Sequence, residues 1–144
     1  MKKFTFLFAL IVMVITAHAQ TPVTITDDDL TNQDVTWTSD NTYLLDGFVY
    51  LEGGTLTIEA GTVIKAKATP TTGDNASALI ITRDAKIIAE GTEDMPIIFT
   101  AEDDDVTDPN DLTHEDRGLW GGVVLLGYGV IGDETTEASI EGIP

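Results

Sequence analysis

The stretch Leu56-Thr57-Ile58-Glu59-Ala60-Gly61-Thr62-Val63-Ile64 contains the pattern from which the fold of this chain is predicted. Two apolar residues stand two apart, and a third follows six residues later. This frame occurs three times, in the sets Leu56, Ile58 and Ile64; Leu79, Ile81 and Ile87; and Val123, Leu125 and Ile131. The second copy begins 23 residues after the first, and the third begins 44 residues after the second. Repetition of this kind, with turns between the copies, is typical of a β-solenoid.

Strict alternation within each copy predicts β-strands, because successive side chains of a strand point to opposite faces. Leu56 and Ile58 would face inward, and Thr57 and Glu59 would face water. After the turn, Lys65 and Lys67 would also face water. One coil cannot bury its apolar face alone, but stacked coils would place each Leu or Ile about 4.8 Å from its counterpart in the next copy and form a continuous interior. Leucine-rich repeats have a similar period, yet their L-x-x-L-x-L-x-x-N frame is absent. A β-sandwich would give short strands without matching registers. We therefore predict an all-β parallel β-helix of about three coils.

The N-terminus has the features of a Sec-type signal peptide. Lys2 and Lys3 precede an apolar run over residues 4–16, and Ala17-His18-Ala19 forms a cleavage site. The alternative is a buried N-terminal helix. Because the chain has no Cys, a lipid anchor on a cysteine after this site is excluded. We expect residues 1–19 to be removed and the protein to be secreted or held on the outer cell surface.

The remaining chain is strongly acidic. Without residues 1–19 it has 25 acidic and five basic residues, a formal net charge of −20. Such a surface repels nucleic acid and anionic lipid, so we expect no nucleic-acid partner. The absence of Cys also excludes disulfides and thiolate metal sites. We expect no membrane span in the mature chain.

The polar segment 20–42 is predicted to hold a cap strand, and residues 43–144 the coils. Within the first segment, Val35-Thr36-Trp37-Thr38 alternates as a strand does. An open end of a solenoid exposes backbone donors and apolar side chains, so repeat proteins need such a cap. Trp37 is therefore predicted to be a cap residue rather than a platform for a ligand.

Three further motifs carry a resemblance to a known family. They are Ile88-Ala89-Glu90-Gly91-Thr92, Pro96-Ile97-Ile98-Phe99-Thr100 and Gly118-Leu119-Trp120-Gly121-Gly122-Val123. The series resembles exported right-handed parallel β-helix proteins of the pectin-lyase-like kind. These occur on Gram-negative cell surfaces, often with a C-terminal type IX sorting domain. The resemblance covers residues 47–131 and implies right-handed coils. Because the coils are few and no sorting domain follows, we expect an N-terminal fragment of a longer protein.

An acidic insertion, residues 102–117, interrupts the repeat and is the candidate metal site. Hard cations such as Ca²⁺ prefer several oxygen ligands. The spacing does not match an EF-hand, which needs a central Gly and a bidentate Glu at loop position 12. The alternative is a solvated acidic loop. The candidate Ca²⁺ ligands are Asp103, Asp104, Asp105, Asp108, Asn110 and Asp111.

No catalytic or cofactor-binding residue is assigned, and Ca²⁺ is the one cofactor considered. Carboxylate pairs can hydrolyse glycosides, but 25 acidic residues make any pair meaningless without geometry. The resemblance implies that a lyase would use an Arg or Lys base with Ca²⁺. Lys65 and Lys86 instead suggest surface ion pairs with Glu59 or Glu90. His114, the one histidine after signal cleavage, is predicted to face solvent. The basic residues outside the signal peptide, none in a lyase motif, are Lys65, Lys67, Arg83, Lys86 and Arg117.

Alternation also places several apolar residues on the outside of the coils: Ile80, Ile88, Ile98, Val124 and Leu126. Either a neighbouring segment covers them, or they form an exposed stripe of the kind that marks an interface. Trp120 could stack on a sugar, but a core or turn position is the preferred interpretation.

These features favour a structural or adhesive role, with an extracellular polysaccharide or a surface protein as a possible partner. Two alternatives remain. One is a fragment of a polysaccharide lyase or glycoside hydrolase, and the other is a Ca²⁺-dependent binding module.

Overall fold

The computed structural model describes residues 21–129, which form ten β-strands and one short 3₁₀ helix at Asp27–Asp29. The strands are β1 (Thr21–Ile25), β2 (Val35–Trp37), β3 (Asn41–Leu45), β4 (Phe48–Leu51), β5 (Gly54–Ile58), β6 (Val63–Ala66), β7 (Ala78–Ile81), β8 (Ala85–Ala89), β9 (Ile98–Ala101) and β10 (Gly122–Leu125). The predicted signal peptide lies outside the described residues.

The strands build three sheets in which every pair is parallel. Sheet A has the order β1-β3-β6-β9, sheet B has β2-β5-β8, and sheet C has β10-β7-β4. The chain visits sheets A, C and B in turn, so β3–β5 form one coil and β6–β8 form the next. This arrangement confirms the predicted parallel β-helix of about three coils. The segment predicted to be a cap supplies β1 and β2, which pair within sheets A and B.

The predicted stacking of the first sequence copy on the second is wrong. Leu56 of the first copy pairs with Ile87 of β8, and Leu79 of the second copy pairs with Val49 of β4. The first copy begins on sheet B and the second on sheet C. Both positions need the same apolar alternation, so their sequences match although their strands do not stack. The stacking of the third copy on the second is confirmed, because Val123 pairs with Leu79. Ile131 of the third copy lies outside the described residues.

The number of residues between paired strands increases along the chain. In sheet A, Asn41 of β3 pairs with Thr21 of β1, whereas Ile98 of β9 pairs with the more distant Val63 of β6. The longest path joins β7 to β10, with β8, β9 and the acidic insertion between them. The extra residues lie at the corners, in the loop 67–77 and the insertion 102–117. Each corner can thus vary in length while the registers within the sheets persist.

Inward side chains of successive coils stack in rows along the solenoid. In sheet A the row Tyr43, Ile64 and Phe99 runs through the core. Trp37 of β2 is buried, and its ring stacks on the ring of Tyr43 in β3 with centroids 4.7 Å apart. This burial agrees with the predicted structural role for Trp37 and leaves no aromatic face open to a ligand. Ile97 and Phe99 also pack on the core.

The 3₁₀ helix covers one edge of the solenoid. It lies between β1 of sheet A and β2 of sheet B, at the position where the later coils have a strand of sheet C. It packs against β4. The Asp27 carboxylate accepts a hydrogen bond of 2.9 Å from the Tyr50 amide of β4. Leu30 is fully buried beside this helix. An otherwise unpaired strand edge is thus closed by a side chain and a short helical turn.

At the other end, β8, β9 and β10 are the last strands that the structure describes. Val123 and Leu125 are 37% and 63% exposed, although they stand in rows with the buried Leu79 and Ile81. Within residues 21–129, no helix is long and apolar enough to cross a membrane.

The outward apolar residues differ in exposure. Ile80 is fully buried, which agrees with coverage and excludes an exposed position for this residue. Ile88, Ile98 and Val124 are half-buried, and Leu126 is 37% exposed. These five residues therefore do not form a uniformly exposed stripe.

Candidate functional site

Asp46 is the one buried carboxylate among residues 21–129. It follows β3 and occupies the same corner as Lys67, which follows β6 in the next coil, because Leu45 pairs with Ala66. The Lys67 ammonium lies 2.7 Å from one Asp46 oxygen. The amide and the hydroxyl of Thr71 each donate to the same carboxylate at 2.6 Å. Three donors from the neighbouring coil thus converge on one acidic side chain.

These contacts determine the ionisation of Asp46. Burial raises the pKa of the carboxyl, but the hydrogen bonds from Lys67 and Thr71 and the lysine charge outweigh it. The net pKa lies below its ordinary value, so the carboxylate is charged at neutral pH. A carboxylate that is ionised at neutral pH and hydrogen-bonded at both oxygens is suited to holding structure rather than to transferring protons.

The same corner holds the loop 67–77. The Gly47 amide donates to the Ser77 hydroxyl at 3.1 Å, and the Phe48 amide donates to Asp74 at 3.1 Å. Sequence reasoning missed Asp46 and placed Lys67 in water. The available signal was an Asp-Gly pair after a strand, with a lysine one coil later. That spacing has meaning only when the register between β3 and β6 is known.

The carboxylates of the acidic insertion bond mainly to their own backbone. Asp105 accepts from the Thr107 amide at 3.0 Å and from its hydroxyl at 2.7 Å. Asp108 accepts from the Asn110 amide at 2.9 Å. Asp111 accepts from the Asp105 amide, which brings these two predicted ligands together. The insertion is therefore a series of tight turns stabilised by Asp side chains.

Hydrogen bonds also lower the pKa of two exposed carboxyls in this region. The hydroxyl and then the amide of Thr107 lower the pKa of Asp105, and the charge of Lys65 contributes. The amide and hydroxyl of Thr113 lower the pKa of Asp116 in the same way. Both groups stay ionised under mildly acidic conditions.

Within residues 21–129, no three His, Asp or Glu side chains are placed to share a metal ion. Among the candidate Ca²⁺ ligands, Asp103 is exposed and Asp104 is half-buried. Calcium needs six to eight oxygen atoms around one point, and loop carboxylates can reorient to supply them. The Ca²⁺ site at these residues stays a prediction.

Lys65 contacts the start of the insertion. Its ammonium donates to the backbone carbonyl of Glu102 at 3.1 Å and to that of Asp104 at 2.6 Å. The sequence suggested an ion pair with Glu59 or Glu90, and these backbone contacts take its place. Sequence patterns show charge pairs but not which carbonyls a turn directs at a lysine.

Two depressions lie between the insertion and sheet A. The larger, of about 250 Å³, combines apolar residues with carboxylates and is lined by Ile98, Asp104, Asp105, Val106, Asp108, Pro109, Asp111 and Leu112. The smaller, of about 200 Å³, is lined by Thr100, Ala101, Leu112, Asp116, Arg117, Gly118, Leu119 and Trp120. Leu112 lines both, so the two depressions adjoin, and we call them together the groove.

The remaining candidates have ordinary surface or core positions. His114 is 90% exposed, with its Nε2 2.8 Å from Glu115, which confirms the predicted solvent-facing histidine. Arg117 is exposed and contacts the same Glu115 at 3.4 Å. Trp120 is half-buried and packs on the core, as predicted. His114, Glu115 and Arg117 thus form an exposed cluster, and each can rearrange freely in water.

The comparison with known proteins agrees with this architecture. A family described as the pectate-lyase like beta helix domain matches residues 29–142, or 114 of the 144 residues. No curated protein sequence and no solved structure gives a significant match. The matched residues contain the buried corner, the acidic insertion and nine of the ten described strands. The chain therefore belongs to the family of pectate-lyase-like β-helix domains.

Proposed function

We propose that this protein is an exported β-helix scaffold with a structural or adhesive role at the cell surface or in the medium. The observation that supports it most is the use of its carboxylates. Asp27, Asp34 and Asp74 accept strand amides of Tyr50, Thr55 and Phe48 at 2.9, 2.8 and 3.1 Å. Acidic side chains here take the place of backbone partners at coil edges and corners.

The charge of the chain restricts the partner. Without residues 1–19, a formal net charge of −20 opposes direct contact with an acidic polysaccharide. We propose that a partner is either a surface protein with a basic patch or a polysaccharide bound through Ca²⁺. The groove between the insertion and sheet A offers carboxylates beside the apolar residues Ile98 and Leu112. Binding there should weaken as salt screens the carboxylates.

The export part of the proposal is tested by cell fractionation. The full chain and a variant lacking residues 2–19 are expressed in a bacterial host with a Sec pathway. We expect the full chain outside the cytoplasm, with its mass reduced by residues 1–19, and the variant inside. Recovery of the uncleaved full chain in the cytoplasm would contradict export.

Family membership favours one further candidate, a fragment of a polysaccharide lyase or hydrolase. The two functions are separated by incubating the protein with neutral and acidic polysaccharides, with Ca²⁺ and with chelator. A scaffold should bind without shortening the polymer. An eliminative enzyme should produce unsaturated ends that absorb in the ultraviolet. A hydrolase should produce new reducing ends, and binding lost in chelator would indicate the Ca²⁺-dependent module.

A further inference from the structure

We propose that the Lys65 ammonium is the anchor that holds the acidic insertion against sheet A. Lys65 points outward from β6, in a row between Leu44 of β3 and Thr100 of β9. It is half-buried, and it reaches past its own sheet to residues that follow β9. The inference concerns the position of the insertion, and it holds for a scaffold and for an enzyme alike.

The contacts suit a positively charged side chain with several donors. Two of its three donors point at the carbonyl oxygens of Glu102 and Asp104, at 3.1 and 2.6 Å. A charged donor forms stronger hydrogen bonds than a neutral one. Because both acceptors are backbone atoms, the contacts hold the main chain of the insertion and do not depend on the conformation of a flexible side chain there.

The backbone on either side of these carbonyls is also held. The Glu102 amide donates to the Ala66 carbonyl at 2.9 Å, which continues the register between β9 and β6. The Asp104 amide donates to the Ala101 carbonyl at 3.2 Å, which closes a turn. Lys65 therefore binds the first turn after β9, at the point where pairing between β9 and β6 ends.

A cation at this point also lowers the repulsion within the insertion. The segment has eight carboxylates: Glu102, Asp103, Asp104, Asp105, Asp108, Asp111, Glu115 and Asp116. Like charges at such density favour an extended loop. The positive charge of Lys65 stands where the loop leaves the sheet, so it favours the docked path.

The docked turn forms part of the larger depression. Asp104 accepts from Lys65 through its carbonyl and, together with Ile98 of β9, lines this cavity of about 250 Å³. Lys65 is therefore a positioning residue for the groove. Its loss should move the wall of the groove while the sheets remain in place.

The test is amide hydrogen exchange on the full chain in the presence of a chelator. Lys65→Met removes the donors and keeps an unbranched apolar stem. Lys86→Met, on the exposed face of β8, is the matched control. Lys65→Arg keeps a cation with several donors and should restore most of the protection.

We expect Lys65→Met to accelerate exchange at the amides of residues 102–105 by about tenfold or more, because hydrogen bonds to a charged donor are lost. Amides of β7 should exchange as in the wild type, and Lys86→Met should change neither region. Equal exchange in the Lys65 and Lys86 variants would overturn the proposal. So would faster exchange of β7 to the same degree, since Lys65 would then stabilise the whole stack.

Discussion

Lys67 and Asp46 occupy the same corner of successive coils, and their charged atoms lie 2.7 Å apart. The lysine side chain is 19% exposed and the aspartate 4%, so this pair is largely removed from water. Opposite charges stacked at a corner couple two coils outside the hydrogen-bonded sheets. This link is independent of the apolar rows of the core.

Replacing Lys67 by Met should lower the free energy of unfolding by about 2 kcal/mol, because a buried carboxylate then lacks its cation. The double variant Asp46→Asn with Lys67→Met should lose less, since no charge is left buried. Urea unfolding measures both. The control Lys86→Met should stay within about 0.5 kcal/mol of the wild type. A Lys67→Met variant as stable as this control would show that the pair contributes nothing.

Acid should remove the contribution of Asp46. The pKa of this carboxyl is lower in the folded protein than its ordinary value of 3.8. Its stabilisation is therefore fully present above the ordinary pKa and is lost as the pH falls through the folded-state pKa. We expect the stability difference between the wild type and Asp46→Asn to shrink as the pH falls through this range. A difference independent of pH down to complete unfolding would contradict the lowered pKa.

Truncation of the core should depend on the position within one row. Leu51, Ile81 and Leu125 stack in sheet C, but Leu51 is fully buried and Leu125 is 63% exposed. Leu51→Ala should cost about 3 kcal/mol, and Leu125→Ala about 1 kcal/mol or less. Thermal or urea unfolding gives both values. Equal losses would show that Leu125 is as well covered as Leu51.

Alanine substitutions at two glycines distinguish the cost of backbone strain from the cost of crowding by neighbouring atoms. Gly54 and Gly73 have φ angles of +77° and +97°, so alanine is strained at both. A Cβ at Gly54 would lie 2.5 Å from the Gln33 carbonyl oxygen, whereas none of the atoms around Gly73 lies within 4 Å. Gly73→Ala should cost about 1 kcal/mol. Gly54→Ala should cost at least about 1 kcal/mol more, because the Gln33 backbone must move. Equal unfolding midpoints would contradict the close approach.

Calcium binding to the insertion is tested by limited proteolysis with an enzyme specific for acidic residues. If the predicted ligands hold Ca²⁺, cleavage within residues 102–117 should be slower in Ca²⁺ than in chelator. The variant Asp105→Asn with Asp111→Asn should abolish this difference, because it removes the two ligands that already lie together. An identical cleavage pattern in Ca²⁺ and chelator would remove the site.

Alternation of apolar residues was sufficient to predict strands and the solenoid, because each strand of every coil must place an apolar residue on its inward face at every second position. It could not show which strands stack. Leu56 and Leu79 have equivalent neighbours in sequence, yet they belong to different sheets, and their partners are Ile87 and Val49. The sheet that each strand joins decides the pairing, and the apolar alternation is the same in all three sheets.

The polar contacts were predicted less well for the same reason. Asp46 and Lys67 stand one coil apart in a chain with 25 acidic residues, so their pairing emerges only from the register. Lys65 bonds to carbonyl groups, which carry no side-chain signature. Residues with one dominant environment, such as the exposed His114 and the packed Trp120, were predicted correctly.

The parallel pairing of the strands also affects how the chain can fold. Every described strand pairs with a strand of a neighbouring coil, so no pairing can form as a local hairpin. Doubling the length of a closed loop costs only about 0.6 kcal/mol of chain entropy. Long corners therefore lower the equilibrium stability little, but each coil can form only against a neighbouring coil. Because every pairing is non-local, we expect folding to be slow and to spread in either direction from the coils that form first.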